Sequence, residues 1–202
     1  MAAKKKRKTK WLRSSALSWL FSAIKNNDKV GLIAFTDTIE MFIPPKKGVS
    51  HVLRLIRELL FFRPRRSKTD IAGALDYLGR VIRKRGVVFL VSDFIAPDYD
   101  KPLGILAKRH DLIAVTMTDP RETDVPGVGL IELEDAETGE VMLLDTSDRR
   151  VRDTFASLGR DRLRRLDEQF AAKGVDHIPI MTDHDYLQDL MRFFKTREKR
   201  RH

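Results

Sequence analysis

The sequence predicts an α/β fold: a doubly wound, mostly parallel open sheet with one antiparallel edge strand and an inserted β-hairpin. Three observations carry that expectation. Apolar runs of strand length alternate with stretches of helical periodicity through most of the chain. The run from Val87 to Val91 is unbroken, rich in valine and bounded by Gly86 and Pro97. Such a run reads as a strand buried on both faces, in the middle of a parallel sheet. No stretch of linker composition divides the 202 residues, which suffice for one domain with a sizeable core.

The elements follow in order. Lys10 to Lys25 carries Leu12, Ala16, Leu17, Leu20, Phe21 and Ile24 at helical spacing, and Asn26-Asn27-Asp28 stops the helix. Lys29 to Thr36 is a buried strand. Asp37-Thr38 turns the chain into a short strand, Ile39 to Ile43, which Pro44-Pro45 should end at a sheet edge. Val49 to Phe62 is helical, with Val52, Leu55, Ile56, Leu59 and Leu60 on one face, and Pro64 closes it. After the basic loop Arg63 to Lys68, a helix starts near Thr69-Asp70 and uses Ile71, Ala74, Leu75, Leu78 and Ile82. The strand ending at Ser92 follows, then a helix from Tyr99 to Arg109 and a strand from Asp111 to Thr118. Gly129 to Glu134 and Val141 to Leu144 read as a hairpin outside the alternating order, its acidic residues Glu132, Glu134, Asp135 and Glu137 facing solvent. A long helix spans about Ser147 to Lys173, with Val151, Phe155, Leu158, Arg162, Leu166 and Phe170 near one stripe, and Gly174 caps it. Val175 to Met181 carries Pro179, which favours an edge position. Thr182 and Asp185 resemble a capping box for a last helix through Phe194.

The chain has no cysteine, which excludes disulfides and thiolate metal sites. No apolar run approaches the roughly 20 residues of a spanning helix, and no signal-peptide core follows the basic N-terminus. A cytoplasmic protein is the default. The net charge of +10 comes from two tails, residues 1–10 and 196–202 with the adjoining Lys195, around a formally neutral body. Solvated tails are one reading, and contact with nucleic acid or anionic lipid is the other.

No nucleotide-binding or common hydrolase motif occurs. The five histidines lack metal-ligand spacing and read as structural or surface residues. Thr69 and Asp70 read as a helix N-cap. A second reading sets the Thr69 hydroxyl beside Asp93 at the carboxyl end of the sheet, where ligand crevices lie. There a hard divalent cation such as magnesium would find hydroxyl, carboxylate and water oxygens. Asp37, Asp119 and Asp183 also follow strands, and with Asp93 they outline an acidic rim.

The segments VGLIAFTDTIEMFIPPKKGVSHVLRLIRELL, KTDIAGALDYL, VVFLVSDF and HDLIAVTMTDPRE resemble a von Willebrand factor type A domain. More narrowly they resemble the bacterial domain-of-unknown-function family 58, as do GLIELEDAETGEV, LLDTSDRRVR and GVDHIPIMTDHDYLQDLMRFF. The resemblance covers residues 11–195. It implies an open sheet carrying a metal-ion-dependent adhesion site for magnesium, in which Thr69 matches the loop threonine and Asp93 the aspartate after the fourth strand. The Asp-x-Ser-x-Ser motif of such a site is absent: MAAKKKRKTK stands where it belongs, and Ser14, Ser15 and Ser18 lie inside the first helix. The site is therefore incomplete, and weak or no magnesium binding is expected. The strand that should carry the motif would lie between Lys29–Thr36 and Gly86–Ser92. The expectation is that the sequence begins downstream of the true start, that the sheet closes differently, or that a tail or another chain supplies the strand.

For function, the resemblance implies a non-enzymatic protein-interaction module, an adaptor working with a MoxR-type AAA+ ATPase. The alternative is nucleic-acid binding through the basic tails and Arg63 to Lys68, which would be steeply salt-dependent. An enzyme has only aspartates and Thr69 to draw on, without a nucleophile–base pair.

Overall fold

The computed structural model describes residues 27–120, 125–134 and 141–181, together with Phe193, Thr196 and Arg197. The expected helix Lys10–Lys25, the last helix, Asp183 and most of both tails lie outside the described residues. The chain divides into two compact units. One holds the described residues up to Gly86 together with Phe94–His110; the other holds Val87–Asp93 and the described residues from Asp111 onward. The class is α/β, with a three-strand parallel open sheet, small antiparallel hairpins and, among the described residues, four helices.

In the first unit, β1 (Val30–Phe35) and β2 (Ile39–Lys46) pair antiparallel around Asp37-Thr38, with Phe35 opposite Ile39 and Leu32 opposite Ile43. β2 does not stop at Pro44-Pro45 as the prolines predict, but continues to Lys46. The pairing breaks register between Val30 and Leu32, and Gly31 sits at that irregularity. A Cβ on Gly31 would lie 2.8 Å from the Ile43 carbonyl oxygen and 3.0 Å from Pro45 N, so only glycine lets the backbones come this close. The bulge carries the strand past residues that cannot donate to a ladder.

Helix α1 (Val49–Phe61) starts after Gly48, whose φ of 104° suits glycine. It buries Val52 and Leu55 against Ile43, with Val30, Leu32, Met41 and Ile56 around them. His51 fixes the helix to β1 by donating from Nε2 to the Val30 carbonyl at 2.8 Å. Helix α2 (Ile71–Val81) buries Ile71, Ala74 and Leu75, and α3 (Asp100–Arg109) buries Leu103 and Leu106. Their spacing is the period of 3.6 that predicts them.

In the second unit, β3 (Val87–Ser92), β4 (Asp111–Thr118) and β7 (Asp176–Met181) form a parallel sheet in the order β3-β4-β7. As the sequence predicts, β4 flanks β3, and β7 with Pro179 takes the edge. The central strand, however, is β4. Every residue from Leu112 to Thr118 is buried, whereas in β3 only Leu90 is, and Val87 is exposed. Among the described residues β3 pairs on one side only, so its apolar run is not enclosed on both sides.

β5 (Leu130–Glu134) and β6 (Val141–Asp145) form their own two-stranded sheet, outside the parallel one as expected. Helix α4 (Arg149–Ala172) is capped by Asp148, which accepts from Arg150 N at 2.8 Å, and ends at Gly174 with φ 66°. Of its predicted stripe only Leu166 and Phe170 are buried, and Leu158 is exposed. The helix grips the core with its C-terminal half.

Candidate functional site

Asp93 follows β3 at the carboxyl end of the parallel sheet, and its side chain is half-buried. Its main-chain carbonyl accepts a hydrogen bond from Arg162 Nη2 of α4 at 2.5 Å. Phe94, the next residue, is left-handed with φ 55° and buried, so the chain turns sharply away from the strand. Asp119, which follows β4, is buried, as are Thr116 and Thr118 before it.

Thr69 belongs to the other unit, at the end of the basic loop. The N-cap of α2 is Asp70, whose Oδ1 accepts from Gly73 N at 2.9 Å, and Asp70 N donates to the Thr36 carbonyl at 2.9 Å. Thr69 is half-buried, and among the described residues its hydroxyl makes no hydrogen bond. The loop is moored by acids. The Glu40 carboxylate accepts from Arg65 N at 2.9 and 3.0 Å, from Arg66 N at 3.3 Å and from the Thr36 hydroxyl at 2.8 Å. The Arg65 amide and the Thr36 hydroxyl hold the Glu40 pKa below its usual range. Asp37 accepts from Arg66 Nη1 at 3.1 Å, and that bond with the guanidinium charge lowers its pKa too.

A polar chain that spacing does not reveal runs through the second unit. The Asp167 carboxylate of α4 accepts from His177 Nδ1 of β7, and His177 Nε2 lies 2.8 Å from the Thr116 hydroxyl of β4. A carboxylate only accepts, so Nδ1 carries the proton; in the neutral ring Nε2 then accepts from the threonine. Phe170 lies against the imidazole at 5.0 Å between centroids. The order hydroxyl, imidazole, carboxylate is that of a nucleophile, its base and an orienting acid. Thr116, however, is only 1 % exposed in the middle of the sheet. A substrate carbonyl has no path to its hydroxyl, and the chain ties α4 to β4 and β7. The sequence signal was faint: a histidine near the start of a strand, between Asp176 and Ile178.

His110, which ends α3, is 2 % exposed, and among the described residues neither ring nitrogen makes a hydrogen bond of good geometry. Burial lowers its pKa first and the Arg109 charge second; the nearby Ile82 backbone offsets only part of this. Arg197, counted on sequence with the C-terminal tail, is not a free charge. Its guanidinium pairs with Asp111 at the start of β4 and, at 3.3 Å, with Asp176 at the start of β7.

The resemblance implies magnesium, which takes a near-ideal octahedron of oxygens. Among the described residues, no three His, Cys, Asp or Glu side chains come together to hold a metal. Thr69 and Asp93 by themselves offer one hydroxyl and one carboxylate, with which such an ion would keep water at most of its positions. Among the described residues, no helix is long and apolar enough to cross a membrane.

Comparison with known proteins places the chain. It is 36% identical over 131 residues to an uncharacterized protein of Mycobacterium avium, covering 64% of this chain and 77% of the relative. It is 29% identical over 189 residues to uncharacterized proteins of Mycobacterium bovis and Mycobacterium tuberculosis, covering 92% of this chain. The chain spans 59% of the length of those two relatives. No solved structure matches it. Residues 1–165 match the family described as Protein of unknown function DUF58. With more than half of its length inside that match, the chain belongs to the DUF58 family.

Proposed function

We propose that the chain is a non-enzymatic protein-interaction module of the bacterial cytoplasm, a doubly wound von Willebrand factor type A-like domain that acts as an adaptor for a MoxR-type AAA+ ATPase. The observation that carries this reading is the setting of Asp93. Its carboxylate stands at the end of a parallel strand, on a backbone pinned by Arg162 and turned by Phe94. A docking group needs such a frame, because contacts to a partner weaken when the side chain must first be ordered. The reading requires no bond chemistry, in keeping with the buried position of Thr116. Nucleic-acid binding has less support, since Arg66 is paired with Asp37 and Arg197 with Asp111 and Asp176.

The test is direct binding of the purified chain to a nucleotide-free MoxR-type ATPase, measured by calorimetry in EDTA. Asp93→Ala should weaken the complex by about tenfold or more, the equivalent of about 1.4 kcal/mol. Equal affinity of wild type and variant, or no binding, overturns the reading.

A further inference from the structure

Residues 129–145 read GLIELEDAETGEVMLLD. They carry Glu132, Glu134, Asp135, Glu137, Glu140 and Asp145 and no lysine or arginine, in a chain whose net charge is +10. Within this acidic stretch β5 and β6 pair as two antiparallel strands. Their root is fastened. Thr146, fully buried, donates from Oγ1 to the Gly129 carbonyl at 2.6 Å and accepts from Val128 N at 3.1 Å. Thr146 N also donates to the Gly129 carbonyl at 2.9 Å, and Arg152 Nη1 of α4 donates to the Thr146 carbonyl at 2.6 Å.

Beyond the root several apolar side chains are exposed, while Ile131 and Leu144 are half-buried. Leu130 is 66% exposed, Val141 61%, Met142 64% and Leu143 61%. Successive residues of a strand point to opposite faces, so three exposed neighbours on β6 mean that both of its faces are open. Among the described residues β6 pairs with β5 alone, which leaves its other edge without a strand. A two-stranded hairpin in water is marginal, and an apolar open edge is a template for another strand. Cross-strand pairing sets Glu132 opposite Leu143 and Asp145 opposite Leu130, so carboxylates flank the apolar side chains on one face.

The charge selects the occupant. A phosphate backbone or an anionic lipid surface is repelled by this many carboxylates, and so is the same hairpin of a second copy. We propose that β6 is a docking edge for an extended segment of a partner protein in which apolar residues alternate with lysine or arginine, added as a third strand. Main-chain pairing along β6 supplies affinity. Apolar side chains of the segment lie on the face of Met142 and Leu144, and its cations lie on the opposite face, with Glu132 and Asp145. The proposal uses neither Asp93 nor the crevice, so the two binding activities fail in different variants.

The probe is a dye-labelled peptide alternating valine with lysine, titrated into the full chain and read by fluorescence anisotropy. Controls are oligolysine of equal length, the valine–glutamate peptide, and the valine–lysine peptide N-methylated at alternate residues. The valine–lysine peptide should bind, more weakly as salt rises. Met142→Asn and Glu132→Lys should each weaken it about tenfold with unchanged circular dichroism, and Glu168→Lys on α4 should leave it as it is. Several results would overturn the proposal: no binding, equal binding of oligolysine or of the N-methylated peptide, or indifference to Met142→Asn. So would a concentration-dependent dimer lost in Met142→Asn, which would make a second copy the occupant.

Discussion

Replacing Thr116 with valine tests the buried polar chain. The side chains have nearly the same shape, both are β-branched, and no cavity is opened, so the change removes only the hydroxyl. That hydroxyl is the 2.8 Å partner of His177 Nε2, and the His177 side chain is 6 % exposed. Without it the nitrogen is a buried acceptor that neither protein nor water satisfies, at a cost of about 1–3 kcal/mol. For a chain of this length that corresponds to roughly 2–4 °C of melting temperature per kcal/mol. The other end of the chain behaves differently. The Asp167 side chain is 62% exposed, so Asp167→Asn, which still accepts from Nδ1, should cost only about 0–1 kcal/mol. Combining Thr116→Val with His177→Phe removes both buried polar partners and keeps a ring beside Phe170. The double variant should recover most of the single variant's loss. Urea denaturation followed by circular dichroism, closed as a double-mutant cycle, reads these differences. A Thr116→Val cost below about 0.5 kcal/mol, or strict additivity in the cycle, would refute the argument.

His110 should make stability pH-dependent. Burial lowers its folded pKa, so below about pH 6.5 the unfolded chain binds a proton that the folded chain refuses. This contribution is complete above the unfolded pKa and is lost as pH falls toward the folded one, by at most about 1.4 kcal/mol per pH unit. The urea midpoint should decline over that window and His110→Phe should flatten the decline; identical profiles would exclude His110 as the source. Calorimetric titration with magnesium should be silent for wild type and for Asp93→Ala. Sub-millimolar binding abolished by Asp93→Ala would mean that other residues complete the site. Asp70→Ala should cost about 0.5–2 kcal/mol of stability through loss of the α2 cap, a prediction that an unchanged urea midpoint would reject.

Legibility followed the range of the interactions. Local signals held: the 3.6 spacing of Ile71, Ala74 and Leu75, the glycine stop at Gly174, and Pro179 as an edge marker. They failed where a neighbour distant in sequence decides. Val87–Val91 is a purer apolar run than Asp111–Thr118, yet Asp111–Thr118 is the strand flanked on both sides. Burial depends on which strands pair, and composition does not encode that. Pro44-Pro45 looked like a stop because the approach that Gly31 permits comes from the partner strand. Asp93 was legible as a strand-end carboxylate, but the guanidinium on its carbonyl comes from Arg162, which looked like part of a buried stripe. Thr116, His177 and Asp167 sit on three elements, and no spacing rule joins them.

The Arg197 pair at the sheet's other end bears on where this fold can be cut. Among the described residues, the last strand of the parallel sheet ends at Met181, but its charges draw on a residue beyond it. Asp111 and Asp176 open two neighbouring strands, and their side chains are only 23% and 32% exposed. A truncation after Met181 would keep every described strand and discard the guanidinium that Asp111 and Asp176 share. A shortened chain would therefore hold β4 and β7 together by their ladder alone at that end, and would be less stable than its strand count suggests.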